Sequence, residues 1–260
     1  MAQISDDDGT AKRATSSSIS EQELARFERL AAAWRDPSGP MRTLHIINPL
    51  RARWIADTVA AHHPARGLAG LATLDIGCAA GLLSEALCDQ GAVVTGIDPV
   101  ERSIRIAQRH AEQDGRSIAY HIATPEELVG QEASFDVVCA LEVVEHVTDR
   151  PAFFRALASL LAPGGLLFVT TINRNWRSWL LAIAVAEKML GAVPRGTHRW
   201  DWFVTPEEAD DWLAAEGLRR TDLRGMRYWP ILHKAYWTRD LSVNWAAAWC
   251  KPGTAVDEGI

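Results

Sequence analysis

No cysteine in this chain has a partner nearby in sequence. The four of them (Cys78, Cys88, Cys139 and Cys250) stand far apart, with no C-x-x-C pair. That spacing indicates neither a zinc framework nor a disulfide scaffold, and it fits a reducing cytoplasm. Basic charge is not in excess either. Lys and Arg total 27 against 33 Asp and Glu, a formal charge of −6, so a broad nucleic-acid footprint is not expected, although a local basic patch remains open. The uninterrupted apolar run at 179–186 falls far short of the ~20 residues of a membrane span. The first 20 residues are polar and lack the apolar centre of a secretory signal, and no internal repeat is visible. What remains is an ordinary soluble composition: 260 residues, 48% hydrophobic and 23% charged, enough for one domain with appendages. Of eleven tryptophans, nine fall at or after Trp176, which suggests a large apolar pocket, an interfacial surface or simply a tryptophan-heavy core.

The most informative text is Leu74-Asp75-Ile76-Gly77-Cys78-Ala79-Ala80-Gly81, followed by Gly96-Ile97-Asp98. An apolar run breaks into small residues and a helical pattern opens at Leu82. Small residues let the backbone approach a ligand, and the new helix points its first amides at it. A second apolar run ends about 20 residues on at Asp98, where a nucleoside ribose would sit. The glycines Gly77 and Gly81, with Ala79 between them and Leu82 where a third glycine would fall, do not fit a dinucleotide fingerprint. The remaining alternative is a tight turn with no ligand.

Residues 1–19 read as a disordered tail. Ser20 and Glu23 give an S-x-x-E helix start running to about Trp34, and a second helix is expected from Pro49 towards His62. These helices, spanning 20–66, would form a cover over the ligand mouth. From Leu71 strands and helices alternate. Strands are expected at 71–76, 92–97, 118–122, 135–141 and 166–172, helices at 81–90, 99–114 and 151–161. Thr205-Pro206-Glu207-Glu208 caps a further helix, and 218–225 and 242–249 are closing strands. Continuous apolar strands imply burial on both faces, so the fold class is α/β with a Rossmann-like, doubly wound sheet over 67–260 and an insertion at about 174–205.

The pattern D-x-G-x-x-x-G resembles motif I of class I S-adenosylmethionine-dependent methyltransferases. Phe135-Asp136-Val137-Val138, the turn from Glu142 to Val147 and Leu161-Ala162-Pro163-Gly164-Gly165 look like their later motifs. More specific are His45-Ile46-Ile47-Asn48-Pro49-Leu50-Arg51, Asn173-Arg174-Asn175, Pro194-Arg195-Gly196-Thr197-His198 and Thr205-Pro206-Glu207-Glu208. Together, over roughly 21–249, these resemble the UbiG-type O-methyltransferases of ubiquinone biosynthesis. The resemblance implies a mainly parallel seven-stranded sheet and S-adenosylmethionine as methyl donor. It also implies methylation of a ring hydroxyl on polyprenyl hydroxyphenol and demethylubiquinol intermediates. Carried over by position, the cofactor contacts are Arg51 (the methionine carboxylate), Gly77 (the amino-acid portion), Asp98 (the ribose) and Leu141 (backbone and packing). Ala79 stands where such enzymes usually have Gly, which would be strained if the backbone needs positive φ. The stretch from Tyr228 to Trp237 is unusually aromatic and basic.

Methyl transfer from a sulfonium needs an aligned oxygen with anionic character, whereas a phenol has a pKa near ~10. Glu142, Glu145 and His146 follow the fourth strand, and spacing i, i+3, i+4 brings them to one face if the turn is helical. They are the candidate catalytic residues. Two carboxylates and an imidazole suit Mg²⁺ or another divalent metal acting as Lewis acid, and the resemblance favours a metal there. The alternatives are His146 as general base, or a turn with a shaping role only. His45 and His198 are weaker candidates.

The apolar segment 176–190 is flanked by Arg174, Arg177, Lys188, Arg195 and Arg199, which suits a helix lying in a membrane interface or a lid over the pocket. The expected partners are the polyprenylated substrate, a membrane surface touched through 176–190 and a ubiquinone-biosynthesis assembly, with no nucleic acid. The expected location is cytoplasmic, peripheral on the inner face of the membrane. Two other functions stay open: methylation of a soluble catechol or small phenol, and a non-catalytic cofactor- or lipid-binding scaffold.

Overall fold

The computed structural model describes residues 19–39, 41–131, 133–173, 203–229 and 232–253. The tail before Ile19, the 176–190 helix, the Arg residues flanking it and His198 lie outside these. Helix α1 (Glu21–Leu30) runs into a short 3-10 turn, and α2 (Arg42–His62) precedes the sheet. Then come β1 (Ala72–Ile76), α3 (Leu82–Cys88), β2 (Val93–Ile97), α4 (Glu101–Gln113) and β3 (Ala119–His121). The second half follows as α5 (Pro125–Val129), β4 (Phe135–Leu141), α6 (Arg150–Leu160), β5 (Leu161–Ile172), α7 (Pro206–Ala215), β6 (Arg219–Trp229), β7 (Lys234–Thr238) and β8 (Asn244–Cys250).

The strand order is β3-β2-β1-β4-β5-β8-β6-β7. The first five strands are mutually parallel, and β8, β6 and β7 continue the sheet antiparallel. Seven of these strands match the resemblance; β7 is an eighth, added on the outer side of β6. The central strands are buried on both faces, as their unbroken apolar text requires. In β4, Val138 and Ala140 face the core shared with α5, α6 and α7, whereas Val137 and Cys139 face the core shared with α2 and α3. Sheet order reverses at β1, whose neighbours β2 and β4 lead away in opposite directions, and such a switch opens a crevice at the carboxyl ends of the strands.

Two helices differ from expectation. Helix α2 starts at Arg42 rather than Pro49, and Pro49 lies inside it. A proline favours the first helical turn, and an interior proline both loses the hydrogen bond to the carbonyl four residues back and crowds that carbonyl, at about 3 kcal/mol. Here Ile47 and Arg51 on either side are buried and hold the helix across the defect. Helix α5 was not anticipated, although its capping box, Thr124 with Glu127, repeats the T-P-E-E text that marks α7.

Candidate active site

Strand β1 stops at Ile76 and the chain turns over five small residues before α3. Gly77 has φ +67, and a Cβ there would lie 2.6 Å from Val143 Cγ2. Gly81 has φ +84, and its Cβ would lie 2.4 Å from the Tyr120 hydroxyl. Glycine at these positions is therefore a requirement of both backbone angle and space. Ala79, between them, has φ +47, so the strain foreseen for an alanine at this site is present, at about 1 kcal/mol.

Asp98, just past β2, is buried and ties this turn down. Its Oδ2 accepts from the Ala79 N–H at 3.0 Å and its Oδ1 from the Val100 N–H at 2.8 Å. Burial pushes its pKa up to about 6, opposed by those two amides. Each oxygen keeps a lone pair for a further donor. Behind the turn, fully buried Asp75 accepts from the Ser84 hydroxyl of α3 at 2.5 Å, and burial pushes its pKa up to about 7.

Across the crevice, α2 delivers Arg51, 2% exposed. Its guanidinium pairs with Glu142 Oε1, which also accepts from the Thr170 hydroxyl of β5 at 2.9 Å. Arg51 Nε is buried with no hydrogen-bond partner. Glu142 takes φ +58, an uncommon angle for a residue with a side chain and one that clusters at functional sites.

His146 ends a 3-10 turn at Val144–His146. Its Nδ1 lies 2.8 Å from Glu23 Oε2 on α1, and the Phe27 ring meets it edge-on at 4.9 Å. Burial lowers the imidazole pKa, but the hydrogen bond its Nδ1–H donates to Glu23 and the charges of Glu145 and Glu23 outweigh it, so the net direction is up. Glu23 is correspondingly pulled down, chiefly by His146. With Nδ1 held by a carboxylate, Nε2 is the nitrogen left for a substrate proton.

One pocket brings these elements together. It encloses about 1120 Å³ of empty space including its mouth, and it is lined by Arg51, Gly77, Asp98, Leu141, Glu142 and His146 among others. Its outer wall comes from α1 and α2 through Phe27, Leu44 and Asn48. All four expected cofactor contacts therefore share one cavity with two of the three expected catalytic residues.

Glu145 does not join them. It is buried away from the pocket lining, its Oε2 accepting from the Thr171 hydroxyl at 2.7 Å, and burial beside Glu142 raises its pKa. The expected metal set is not assembled: among the described residues no three His, Cys, Asp or Glu side chains converge to hold an ion. The reason is local. The turn is too short and too tight to present one helical face, and Glu142, Glu145 and His146 are each taken by a different partner. His45 is also accounted for, its Nε2 lying 2.8 Å from the Trp34 carbonyl, where it braces the link between α1 and α2.

Glu23 was not anticipated as a site residue. Its S-x-x-E setting suggested only a cap. Ser20 does accept from the Glu23 N–H at 3.3 Å, but the Glu23 carboxylate turns to His146 instead of back to Ser20. An antiparallel bridge between Ile19 and Val147 fastens the same two segments.

A small-residue turn tied to a buried Asp at the end of the next strand, on this sheet order, defines a Rossmann-like methyltransferase. The family model described as a methyltransferase domain matches residues 30–223. By structure, the fold is similar to that of magnesium protoporphyrin IX methyltransferase from Synechocystis with bound SAH. That match has a TM-score of 0.61 at 20% identity and covers 87% of this chain and 94% of that one. By sequence, the chain is 47% identical over 243 residues to the ubiquinone biosynthesis O-methyltransferase of Methylobacterium nodulans, covering 92% of this chain and 98% of that protein. It is 43% identical over 246 residues to the protein of the same name from Azorhizobium caulinodans, covering 93% and 97%. The chain belongs to the family of ubiquinone biosynthesis O-methyltransferases.

Proposed function

We propose that this S-adenosylmethionine-dependent O-methyltransferase of ubiquinone biosynthesis methylates a ring hydroxyl of polyprenyl hydroxyphenol and demethylubiquinol intermediates. The observation that carries the reading is the shared pocket. A nucleoside end fits at Asp98, an amino-acid end fits at Gly77 and Arg51, and an oriented imidazole stands beside both.

The residues fit the cofactor on their own chemistry. The buried guanidinium with an unpartnered Nε suits a carboxylate, for which Arg forms charge-assisted pairs. Gly77 and Gly81 hold a turn of positive φ in which a Cβ would strike Val143 or the Tyr120 hydroxyl. Asp98 accepts from ribose hydroxyls, and Leu141 packs against the ligand. The Arg51–Glu142 pair is complementary to the zwitterion of a methionine moiety: Arg51 takes the carboxylate and Glu142 faces the ammonium. When bound, the cofactor supplies an electrophilic methyl group on a sulfonium.

His146 takes the phenolic proton on Nε2 as the oxygen–methyl bond forms and the sulfur–methyl bond breaks. Glu23 holds Nδ1 and stabilises the imidazolium that results, the role a carboxylate plays behind a catalytic histidine. Phe27 fixes the ring plane. Glu145, buried on Thr171, supports the turn that carries His146. The donors a metal would need are engaged elsewhere: Glu142 by Arg51, Glu145 by Thr171 and His146 by Glu23.

The test is methyl transfer from labelled S-adenosylmethionine to a short-chain demethylubiquinol, with and without EDTA. Product unaffected by chelation is the expected result. Product lost with EDTA and restored by Mg²⁺ would overturn His146 as the unaided base, and would show that the three donors leave their partners to converge. No product despite cofactor binding would move the acceptor to other phenols, which a panel of soluble catechols would reveal. The location that goes with this reading is peripheral. Among the described residues no helix is long and apolar enough to cross a membrane.

A further inference from the structure

Polar atoms sealed from water in a folded chain are almost always paired, and each exception asks for a reason. Among the described residues, two buried N–H donors that line the pocket have no partner: Trp34 Nε1 and Arg51 Nε. An indole nitrogen only donates, and a guanidinium has donors and no acceptor. Neither can satisfy the other, and a buried donor left unmade bears the full cost of its desolvation. Both need an acceptor, and the cavity they share admits one.

Trp34 is fastened on two sides. It follows the 3-10 turn Ala31–Ala33 at the end of α1, and its carbonyl accepts from His45 Nε2 of α2 at 2.8 Å. The next residue, Arg35, donates through both terminal nitrogens to Glu85, the Nη1 bond being 2.9 Å. Glu85 stands in the first turn of α3, the helix that opens from the Gly77–Gly81 turn. His45 lies about 9 Å before Arg51 along α2. The anchors of Trp34 are therefore the helix that carries Arg51 and the helix that grows out of the glycine turn. Leu44 of α2 and Leu82 and Leu83 of α3 also line the pocket, so both anchoring helices reach the cavity that Trp34 lines. A donor held this way is set in place before a ligand arrives, which lowers the cost of ordering it on binding.

We propose that Trp34 Nε1 donates to the carboxylate of the cofactor's amino-acid end, beside Arg51, and so makes the link between α1 and α2 part of the cofactor site. A carboxylate is acceptor-only and has several lone-pair sites, so it takes an indole N–H and a guanidinium together. Arg51 keeps a terminal nitrogen on Glu142 and has Nε left for this ligand. The other polar groups of the cofactor fit the indole less well. The ammonium only donates, the ribose hydroxyls are drawn to Asp98, and the adenine lies beyond the ribose, away from the Gly77 turn. The inference rests on the reading of this pocket as the cofactor site, and it does not depend on which acceptor is methylated.

The experiment is isothermal titration of the full chain, wild type and Trp34→Phe, with two ligands. S-adenosylhomocysteine carries the amino-acid end, and 5′-methylthioadenosine keeps the nucleoside and sulfur without it. Phenylalanine retains an aromatic ring and removes the N–H. The variant is expected to bind S-adenosylhomocysteine about tenfold or more weakly and methylthioadenosine as wild type does, which also shows an intact fold. Spectra of the wild type read the bond without a substitution. The assigned Trp34 indole proton should move downfield with S-adenosylhomocysteine and stay in place with methylthioadenosine. Equal affinity of wild type and variant for S-adenosylhomocysteine would overturn the proposal. A loss of the same size for both ligands would do so too, since Trp34 would then act through packing or the nucleoside. Wild type that binds neither ligand would overturn the cofactor site itself, and this contact with it.

Discussion

At the scale of single residues, the site is set by where backbone amides and carboxylates are forced together. Asp98 is held by the N–H groups of Ala79 and Val100, so one side chain fixes the shape of the turn and presents acceptors to the ribose. Its pKa of about 6, raised by burial, has a direct consequence for binding. Below that pH the carboxyl is protonated, loses its charge and gives up one acceptor. Cofactor affinity of the wild type is expected to fall as pH drops through about 6. Asp98→Asn should bind roughly 10–100-fold more weakly at pH 8, the cost of losing a charged acceptor, with no further change across that window. Isothermal titration with S-adenosylhomocysteine at pH 5.5 and 8 checks both points, and an unchanged pH dependence in the variant would remove Asp98 as the titrating group.

At the scale of elements, α1 acts as more than a cover. It reaches over the crevice and contributes the carboxylate that orients His146, so its docking and the placement of the base are one event. Glu23→Gln removes the charge while keeping the shape. Its expected effect is a loss of about 10–100-fold in kcat with little change in KM for the acceptor. His146→Gln alone and Glu23→Gln/His146→Gln should then be equally impaired, because groups that act as a unit do not add. Steady-state kinetics on the three variants decide it, and additive losses would show that Glu23 acts on the fold alone. The same pairing marks the limit of what the text could reveal. Strand β4 is legible to the residue at 135–141, because a buried strand bounded by turn residues has no other reading. The T-P-E-E cap of α5 repeats the text at Thr205, yet a helix is assigned from sequence only at the latter. The meeting of Glu23 with His146 was not legible, since nothing in the local pattern of either segment encodes a contact made through the tertiary fold. Pro49 misled for the opposite reason. Its local preference for a helix start is real, but buried neighbours on both sides override it. Likewise the i, i+3, i+4 spacing from Glu142 suggested a shared face that the tight 3-10 turn does not provide. The hairpin text from Tyr228 to Trp237 was conspicuous by composition, yet only strand register shows which of its residues face outward.

At the scale of the whole molecule, the pocket is built at some expense of stability, and pH exposes it. Asp75 is fully buried with its pKa raised from 3.8 to about 7. A carboxyl that is harder to ionise when folded binds more protons in the native chain than in the unfolded one. Stability therefore falls as pH rises from about 4 to about 7 through this group, and stays reduced above it. The span of the shift corresponds to about 4 kcal/mol at most. Asp75→Asn keeps an acceptor for the Ser84 hydroxyl and removes the titration. The variant is expected to gain stability at pH 8 and to gain little at pH 4.5, where the native carboxyl is already neutral. Chemical denaturation of both proteins at the two pH values measures the difference. A gain of the same size at both would mean that packing, not ionisation, limits this position. A gain at pH 8 accompanied by weaker cofactor binding would mean that the buried charge is retained for function: it holds Ser84 at the start of α3, and through it the turn on which the cofactor rests.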